Sequence, residues 1–164
     1  MKRISVNLKG LGLQDLYKGI TPLQILNETK GLPKDVIICK VDGILCDLSV
    51  ELTKDCELQF MDAKSKVGHS VLLHSTAHLM AQAVKRLFPK TKVTIGPYLD
   101  NRFYYDFDVE TPFTEEDLSK IEDEMLKISN EDLKIVHEVK SRDEAIKYFD
   151  KIGENYKVEI INDL

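Results

Sequence analysis

The hydrophobic positions in the first sixty residues follow two periods, one typical of strands and one of a helix. Period-two alternation over RISVNL (3–8) predicts a strand. A hairpin is predicted over VIICKVDGILCDL (36–48), because Asp-Gly favours a type I′ turn, and a last strand over CELQFM (56–61). A short helix is predicted over TPLQILNETKG (21–31). This order of elements predicts a small sheet packed on one helix, as in ubiquitin-like β-grasp folds.

The rest of the chain alternates predicted helices and strands. A long helix is predicted over 70–88, where a proline ends it. Two strands around an LDNR turn are predicted over 92–108, with Phe103, Tyr105 and Phe107 on one face. The other predicted elements are a helix from residue 114 with the apolar stripe Leu118, Ile121, Met125 and Ile128, a strand over LKIVHEV (133–139), a helix ending at Gly153 and a last strand over YKVEII (156–161).

Capping signals mark where three of the predicted helices begin. Thr21 can cap the first helix, and the proline after it suits a first helical turn. Thr114 with Asp117, and Ser141 with Glu144, have the spacing of a capping box, in which each side chain bonds the backbone N–H near the other. These helix starts are therefore predicted from local chemistry alone.

The polar segment DAKSKVGHS (62–70) is predicted to connect two domains. The predicted fold class is α+β, with a β-grasp-like domain at 1–62 and an α+β domain at 63–164. Helices and strands alternate up to the last residue without a polar tail. We therefore expect the second domain to be incomplete and the chain to be a fragment of a larger protein.

Composition narrows the possible function classes. The 164 residues are 43% hydrophobic and 31% charged, with a net charge of −5, as in globular proteins. The sequence has no apolar run near the ~20 residues that span a bilayer and no signal-peptide core, so a cytoplasmic protein is expected. Neither half has the basic surplus of a free-standing nucleic-acid binder. One local basic cluster comprises Lys85, Arg86, Lys90 and Lys92. It either forms the solvated end of a helix or contacts phosphate. Lys85 and Arg86 are the candidate substrate contacts.

Three cysteines, Cys39, Cys46 and Cys56, fit neither a disulfide framework nor a zinc ribbon. Cys39 and Cys46 would face each other across the predicted hairpin, at a distance that permits a disulfide. In a reducing cytoplasm we expect buried thiols instead.

Two histidines four residues apart are the first candidates for chemistry. On a helical wheel at ~100° per residue, His74 and His78 share one face with Ala81 and Lys85. That face lies opposite the predicted core stripe of the long helix. The core stripe comprises Leu72, Thr76, Leu79, Met80, Ala83 and Leu87.

Three interpretations of this pair follow from the residues. The histidines are ordinary helix residues held by hydrogen bonds, or a zinc pair that needs another ligand. The metalloprotease pattern is disfavoured, because it requires Glu where Ser75 stands. Alternatively they form a metal-free pair, in which a neutral imidazole orients or deprotonates water near pH 7. His69 and His137 are expected to be structural or exposed.

Several of these segments together resemble one enzyme family. Those at 74–89 (HSTAHLMAQAVKRLFP), 94–108 (TIGPYLDNRFYYDFD) and 153–161 (GENYKVEII) are similar to the N-terminal editing region of threonyl-tRNA synthetases. GITPLQIL and KVDGILCDLS, in the first sixty residues, are similar to the TGS domain that precedes that region. The resemblance covers essentially the whole chain. The editing domain of alanyl-tRNA synthetases shares the histidine motif, so the TGS-like unit favours the threonyl enzymes.

The resemblance implies an editing activity. Serine lacks one methyl group of threonine, which is worth only ~1–3 kcal/mol of discrimination, so the family hydrolyses mischarged seryl-tRNA in a second site. Carried over to this sequence, His74 and His78 would bind the ester region of the tRNA(Thr) 3′ end and position or activate water. Tyr105 would support the ligand, and Lys157 would contribute a proton or a hydrogen bond.

Two departures from the family pattern bear on this expectation. Arg102 stands where the family usually has glycine, which can reshape the turn. The family completes its site with a downstream Asp-x-Cys-x-x-x-His-like segment, outside this sequence, so we expect the isolated fragment to edit poorly or not at all. No cofactor is expected in the fragment. The resemblance implies that ATP, Mg²⁺ and Zn²⁺ bind to the family's catalytic domain. It also implies that the full-length enzymes are homodimers joined through that domain, so the isolated fragment can be a monomer.

Two other function classes stay open. One is a regulatory TGS-editing module fused to a nucleoside kinase, although such modules tend to have a degraded histidine motif. The other is a metal-dependent hydrolase, in which Cys56 or residues outside this sequence would complete the ligand set. A kinase phosphate-binding loop after Leu164 would favour the first class, and one tightly bound zinc per chain the second.

Overall fold

The computed structural model describes residues 2–99 and 101–164. The protein has the predicted mixed α+β class, and it divides into two compact units, Met1–Leu72 and Leu73–Leu164. The boundary between these units falls inside a helix, whereas the predicted domain boundary at 62/63 stays a prediction. Among the described residues, none of the helices combines the length and the apolar content that crossing a bilayer requires.

The first unit is a five-stranded sheet with one short helix. Its strands lie in the order β2-β1-β5-β3-β4, with β1 parallel to β5 and the other neighbours antiparallel. The elements are β1 (Arg3–Leu8), β2 (Gly12–Tyr17), α1 (Pro22–Glu28), β3 (Val36–Val41), β4 (Ile44–Cys46) and β5 (Cys56–Asp62). The sequence does not predict β2, because GLQDLY lacks a clear apolar alternation, and this strand forms by pairing with β1 along its whole length.

Local signals in the first unit are confirmed. The hydroxyl of Thr21 accepts a hydrogen bond from the backbone N–H of Gln24, and the Gln24 side chain accepts one from Thr21 in return. Asp42 and Gly43 have φ values of 51° and 82°, which confirms the type I′ turn. The buried core gathers side chains from strands, loops and α1, namely Ile4, Val6, Leu8, Ile20, Ile25, Cys39, Leu52, Cys56 and Leu58.

The second unit combines helices with two small antiparallel sheets, β6–β9 and β7–β8. Helix α2 (Lys66–Leu87) contains the unit boundary. It begins earlier than the predicted 70, inside the predicted connection, because the Ser65 hydroxyl accepts a hydrogen bond from the Gly68 N–H and caps the helix there. The other elements are β6 (Lys92–Val93), β7 (Tyr98–Leu99), β8 (Arg102–Phe103), β9 (Phe107–Asp108), α3 (Glu115–Asn130), α4 (Arg142–Lys151) and α5 (Asn155–Asp163).

Helices α2 and α3 form the core of the second unit. Ala83 and Val84 of α2 pack with Ile121 and Ile128 of α3. Both capping boxes of this unit, before α3 and before α4, are confirmed. Three residues assigned to apolar stripes by the sequence are exposed instead, namely Leu72, Leu87 and Leu118. In their place, the small side chains of Ala77 and Ala81 are buried on α2.

Two strand predictions in the second unit are wrong. The described segment 133–139 has no strand pairing, and Ile135 within it is 94% exposed. Residues 155–163 form α5 rather than a strand. In the predicted LDNR turn, Asp100 lies outside the described residues, while the flanking strands β7 and β8 pair as expected.

Candidate functional site

His74 and His78 project from successive turns of α2 and touch each other. Their Nε2 atoms lie 2.9 Å apart, and their ring centroids are 4.6 Å apart at an interplanar angle of 64°. Two neutral imidazoles at this distance share one hydrogen bond, in which one ring donates and the other accepts. The ring of Tyr98 meets His74 edge-on, with centroids 6.2 Å apart. The helical spacing in the sequence thus produces a coupled pair of exposed rings.

His78 is held in its neutral form by its surroundings. Neighbouring protein atoms partly desolvate the imidazole of this exposed residue, and this desolvation is the main cause that lowers the pKa of His78 from its ordinary value. The charges of His74 and Lys157 lower the pKa of His78 further. A neutral imidazole near pH 7 can accept a proton from water. His78 therefore has the protonation state that a general base needs.

Lys157 lies close enough to His78 for its positive charge to lower the pKa of that histidine. The sequence pattern predicted this lysine on a strand, but it occupies the first turn of α5, and its Nζ donates a hydrogen bond of 3.0 Å to the carbonyl of Thr94. In this segment Glu154 is buried, and the half-buried residues of α5 are Tyr156, Lys157, Val158 and Ile161. The structure thus brings Lys157 and both predicted histidines into one neighbourhood.

Tyr105 is fixed by close packing against Phe107 and Gly96. Its ring stacks on Phe107 with centroids 5.0 Å apart and an interplanar angle of 20°. Gly96 also lies against this ring, because a methyl group there would come within 2.1 Å of Cδ2 of the tyrosine. Burial, and then the negative charge of Glu154, raise the pKa of Tyr105 above its ordinary value. The phenol therefore stays protonated and can donate a hydrogen bond.

Lys85 and Arg86 are engaged in ion pairs within the protein. Lys85 Nζ lies 2.8 Å from Oε1 of Glu154. Arg86 donates two hydrogen bonds, of 2.6 and 2.8 Å, to the two carboxylate oxygens of Glu131, and one of 3.2 Å to Glu124. These bonds, with Glu131 as the largest cause, raise the pKa of Arg86. The substrate contacts predicted for Lys85 and Arg86 stay predictions, and they would require a ligand to compete with these carboxylates.

A cavity of about 750 Å³ lies elsewhere in the second unit. It is lined by the segment from Phe88 to Lys92, which follows α2, by residues 108–114 and by Asp117 of α3, and it includes Lys90 and Lys92 of the basic cluster. His74, His78, Tyr105 and Lys157 are not among its lining residues. We place the candidate site at the histidines, because the groups that can move protons are there.

The remaining predicted residues differ in their burial. His69 is half-buried in the first turn of α2, His137 is exposed in the unpaired segment, and Arg102 is exposed on β8. Among residues 2–99 and 101–164, no group of three or more His, Cys, Asp or Glu side chains is arranged to hold a metal ion.

Sequence reasoning missed two residues beside the candidate site, Gly96 and Glu154. Both stand in the quoted segments TIGPYLDNRFYYDFD and GENYKVEII. An acidic residue three positions before Lys157 and a glycine before an aromatic strand were visible signals. Neither signal shows that Glu154 pairs with Lys85 or that Gly96 lies against Tyr105, because these contacts join residues distant in sequence.

Comparison with known proteins decides the family, although no protein-family model matches the chain. The threonine–tRNA ligase of Pelobacter propionicus is 46% identical over 165 residues, covering 100% of this chain and 26% of that protein. That of Symbiobacterium thermophilum is 44% identical over 160 residues, covering 97% and 25%. That of Fusobacterium nucleatum is 51% identical over 134 residues, covering 81% and 22%. The chain belongs to the threonine–tRNA ligase family. It spans about a quarter of the length of these relatives.

In this threonine–tRNA ligase segment, three kinds of reactive group lie in one unit. His78 offers a neutral imidazole that can accept a proton. Lys157 offers an ammonium group that can stabilise a developing negative charge. Tyr105 offers a protonated phenol that can donate a hydrogen bond.

Proposed function

We propose that this chain is the N-terminal part of an enzyme that attaches threonine to tRNA(Thr) with ATP, for protein biosynthesis in the cytoplasm. We further propose that its second unit belongs to an editing module that hydrolyses mischarged seryl-tRNA(Thr). The observation that carries the editing proposal is the contact between His74 and His78, 2.9 Å apart, with the charge of Lys157 beside them. The partner of this site is the aminoacylated 3′ end of the tRNA.

The first unit supports a TGS domain of the β-grasp type. A single helix contributes Ile25 to the core of a five-stranded sheet in which the first strand lies beside the last. The ATP, Mg²⁺ and Zn²⁺ sites, and the surface that joins two subunits, are proposed for the parts of the longer protein outside this sequence. No residue of this chain is assigned to them.

The proposed hydrolysis uses the neutral form of His78. His78 accepts a proton from a water molecule while the hydrogen bond with His74 orients the ring. The water oxygen attacks the carbonyl carbon of the seryl ester, and negative charge develops on the carbonyl oxygen. Lys157 stabilises that charge. The carbon–oxygen bond to the ribose then breaks, the ribose oxygen takes up the proton that His78 removed from water, and serine and free tRNA leave.

Deacylation of seryl-tRNA(Thr) by the longer protein that contains this segment tests the proposal. We expect His78→Ala to slow hydrolysis by about 100-fold or more, because proton transfer by a positioned side chain contributes at least that much. His137→Ala is the matched control, since His137 is exposed in a segment without strand pairing. Unchanged hydrolysis in both His74→Ala and His78→Ala would contradict the proposed role of the pair.

Metal analysis separates the editing proposal from a metal-dependent hydrolase. The longer protein is purified without a histidine tag, so that no added ligand binds zinc. Hydrolysis that persists after dialysis against a chelator is expected for the metal-free pair. One zinc per chain whose removal abolishes hydrolysis, with restoration on adding zinc back, would favour the metal hydrolase instead.

A further inference from the structure

In the ion pair between Lys85 and Glu154, the carboxylate is nearly enclosed by the protein. The Glu154 side chain is 10% exposed and the Lys85 side chain 34%. The Lys85 ammonium lies 2.8 Å from Oε1 and also donates to the carbonyls of Pro89 and Thr91. The other carboxylate oxygen of Glu154, Oε2, is buried without a hydrogen-bond partner among the described residues. Burying a carboxylate with one oxygen unpaired is unfavourable. Stability alone therefore gives a weak reason for a glutamate at this position.

The pair connects the helix that carries the histidines to the helix that carries Lys157. Lys85 lies seven residues after His78, which is about two turns along the same face of α2. Glu154 stands immediately before α5, and its carbonyl accepts a 3.0 Å hydrogen bond from the Lys157 N–H. The Glu154 side chain makes no capping bond to α5. Its ion pair is made with Lys85 of α2.

A second lysine anchors the same junction. Lys92 Nζ donates a hydrogen bond of 2.6 Å to the carbonyl of Gly153, the residue before Glu154. Lys157 itself donates to the carbonyl of Thr94. Contacts from Lys92 of β6 and Lys85 of α2 thus fix the backbone where α5 begins. The hydrogen bond to Thr94 orients the ammonium of Lys157.

Resting on the proposed editing function, we propose that Glu154 is a positioning residue, whose ion pair with Lys85 fixes the start of α5 on α2 and so holds Lys157 beside His78. Glu154 does not touch the reacting ester in this scheme. Its influence reaches the site through the placement of Lys157. The negative charge of Glu154 also acts on Tyr105, so one carboxylate is coupled to two of the predicted site residues.

The test measures how strongly Lys157 acts on His78. In the 164-residue chain, the His78 ring is titrated by NMR with and without Lys157→Met. Removing the ammonium is expected to raise the pKa of His78, because a neighbouring positive charge disfavours the imidazolium. The size of this rise reports the proximity of the two groups, and the measurement needs no tRNA.

The decisive variant replaces the ion pair by apolar side chains, Lys85→Met with Glu154→Leu. Replacing a buried ion pair by apolar side chains commonly preserves folding. A change in the pKa of His78 in this variant is therefore not explained by unfolding. We expect the effect of Lys157→Met on the pKa of His78 to fall by about half or more in this background. Lys85→Arg, which keeps a charge that can reach Glu154, is expected to retain the full effect.

A matched control exists on the same helix. Arg86→Met with Glu131→Leu removes the neighbouring, more exposed ion pair. It is expected to leave the coupling between Lys157 and His78 unchanged. An unchanged coupling in the Lys85→Met/Glu154→Leu variant as well would overturn the inference and leave the pair with a structural role only.

Hydrolysis by the longer protein separates this inference from the proposed function. If wild-type protein deacylates seryl-tRNA(Thr), the Lys85→Met/Glu154→Leu variant is expected to be slower by up to about 100-fold, as displacement of a catalytic group by 1 Å can cause. Absence of deacylation in the wild type would contradict the editing proposal, while the NMR coupling would still support the placement of Lys157 by Glu154. Normal deacylation in the variant, with unchanged coupling, would overturn only the positioning role.

Discussion

The ring of Tyr105 lies directly against the α-carbon of Gly96. A methyl group added to Gly96 would come within 2.1 Å of Cδ2 and 2.4 Å of Cε2 of that ring, closer than non-bonded carbon atoms approach. Phe107 stacks on the tyrosine with ring centroids 5.0 Å apart, so the ring cannot move without losing that contact. Tyr105 can therefore occupy this position only when residue 96 is glycine.

Replacing Gly96 by alanine is expected to displace Tyr105. Overpacking of this kind costs about 1–3 kcal/mol in the free energy of unfolding. Urea unfolding of the variant measures this cost. In a Tyr105→Ala background the added methyl group meets open space, so Gly96→Ala is expected to cost much less there. Equal costs in the two backgrounds would show that the tyrosine ring is not the obstacle.

The lowered pKa of His78 predicts how stability depends on pH. Between the folded pKa and the ordinary value of 6.5, the folded protein binds fewer protons at His78 than the unfolded chain does. The free energy of unfolding therefore rises with pH through this window. The stabilisation is fully present above 6.5 and is lost as the pH falls to the folded pKa, where the ring must become charged next to Lys157.

Unfolding by urea at several values between about pH 5 and pH 8 checks this sign. The His78→Gln variant is expected to lose stability less steeply than wild type as the pH is lowered. His137→Gln, which changes an exposed histidine, serves as the control and is expected to follow the wild-type curve. A His78→Gln curve that parallels wild type would mean that His78 titrates alike in the folded and unfolded chain.

The turn between β3 and β4 predicts a marked difference between substitutions at Gly43. Its φ of 82° is favourable for glycine, tolerable for asparagine and strained for a β-branched residue. Gly43→Val is expected to lower the free energy of unfolding by about 1–2 kcal/mol, and Gly43→Asn by clearly less. Thermal unfolding of both variants measures the difference. Equal losses would contradict the positive-φ explanation.

The three free thiols are expected to react at different rates. Burial, then the neighbouring Cys46, Asp47 and Cys56, raise the pKa of Cys39 to about 12, and burial raises that of Cys56. Cys46 is only half-buried. Because the thiolate is the reactive form, alkylation of the folded protein should label Cys46 first. Peptide mapping by mass spectrometry follows the order, and early labelling of Cys39 would contradict its burial.

Several features of the fold follow from residues that are neighbours in sequence. Thr21, Thr114 and Ser141 begin helices, because each capping bond spans only three residues. The Asp42–Gly43 turn is decided by the positive φ values that these two residues accept. Such features are predictable, since the groups that stabilise them are fixed by local spacing.

The longer pairings needed the tertiary structure. Apolar residues in YKVEII alternate as in a strand, yet the segment forms α5, where Tyr156 donates a hydrogen bond to Asp108 and Lys157 one to the carbonyl of Thr94. The segment LKIVHEV is also strand-like in sequence but is paired with no strand. Short apolar runs fit both periods, so the partners that a segment meets decide its conformation.

The candidate site divides in the same way. The sequence by itself determined that His74 and His78 share a helix face, because four residues make about one helical turn. Only the tertiary structure decided that Lys157 joins them, that Glu154 binds Lys85, and that Gly96 makes room for Tyr105. These contacts join residues roughly ten to eighty positions apart, and their formation depends on how the second unit packs as a whole.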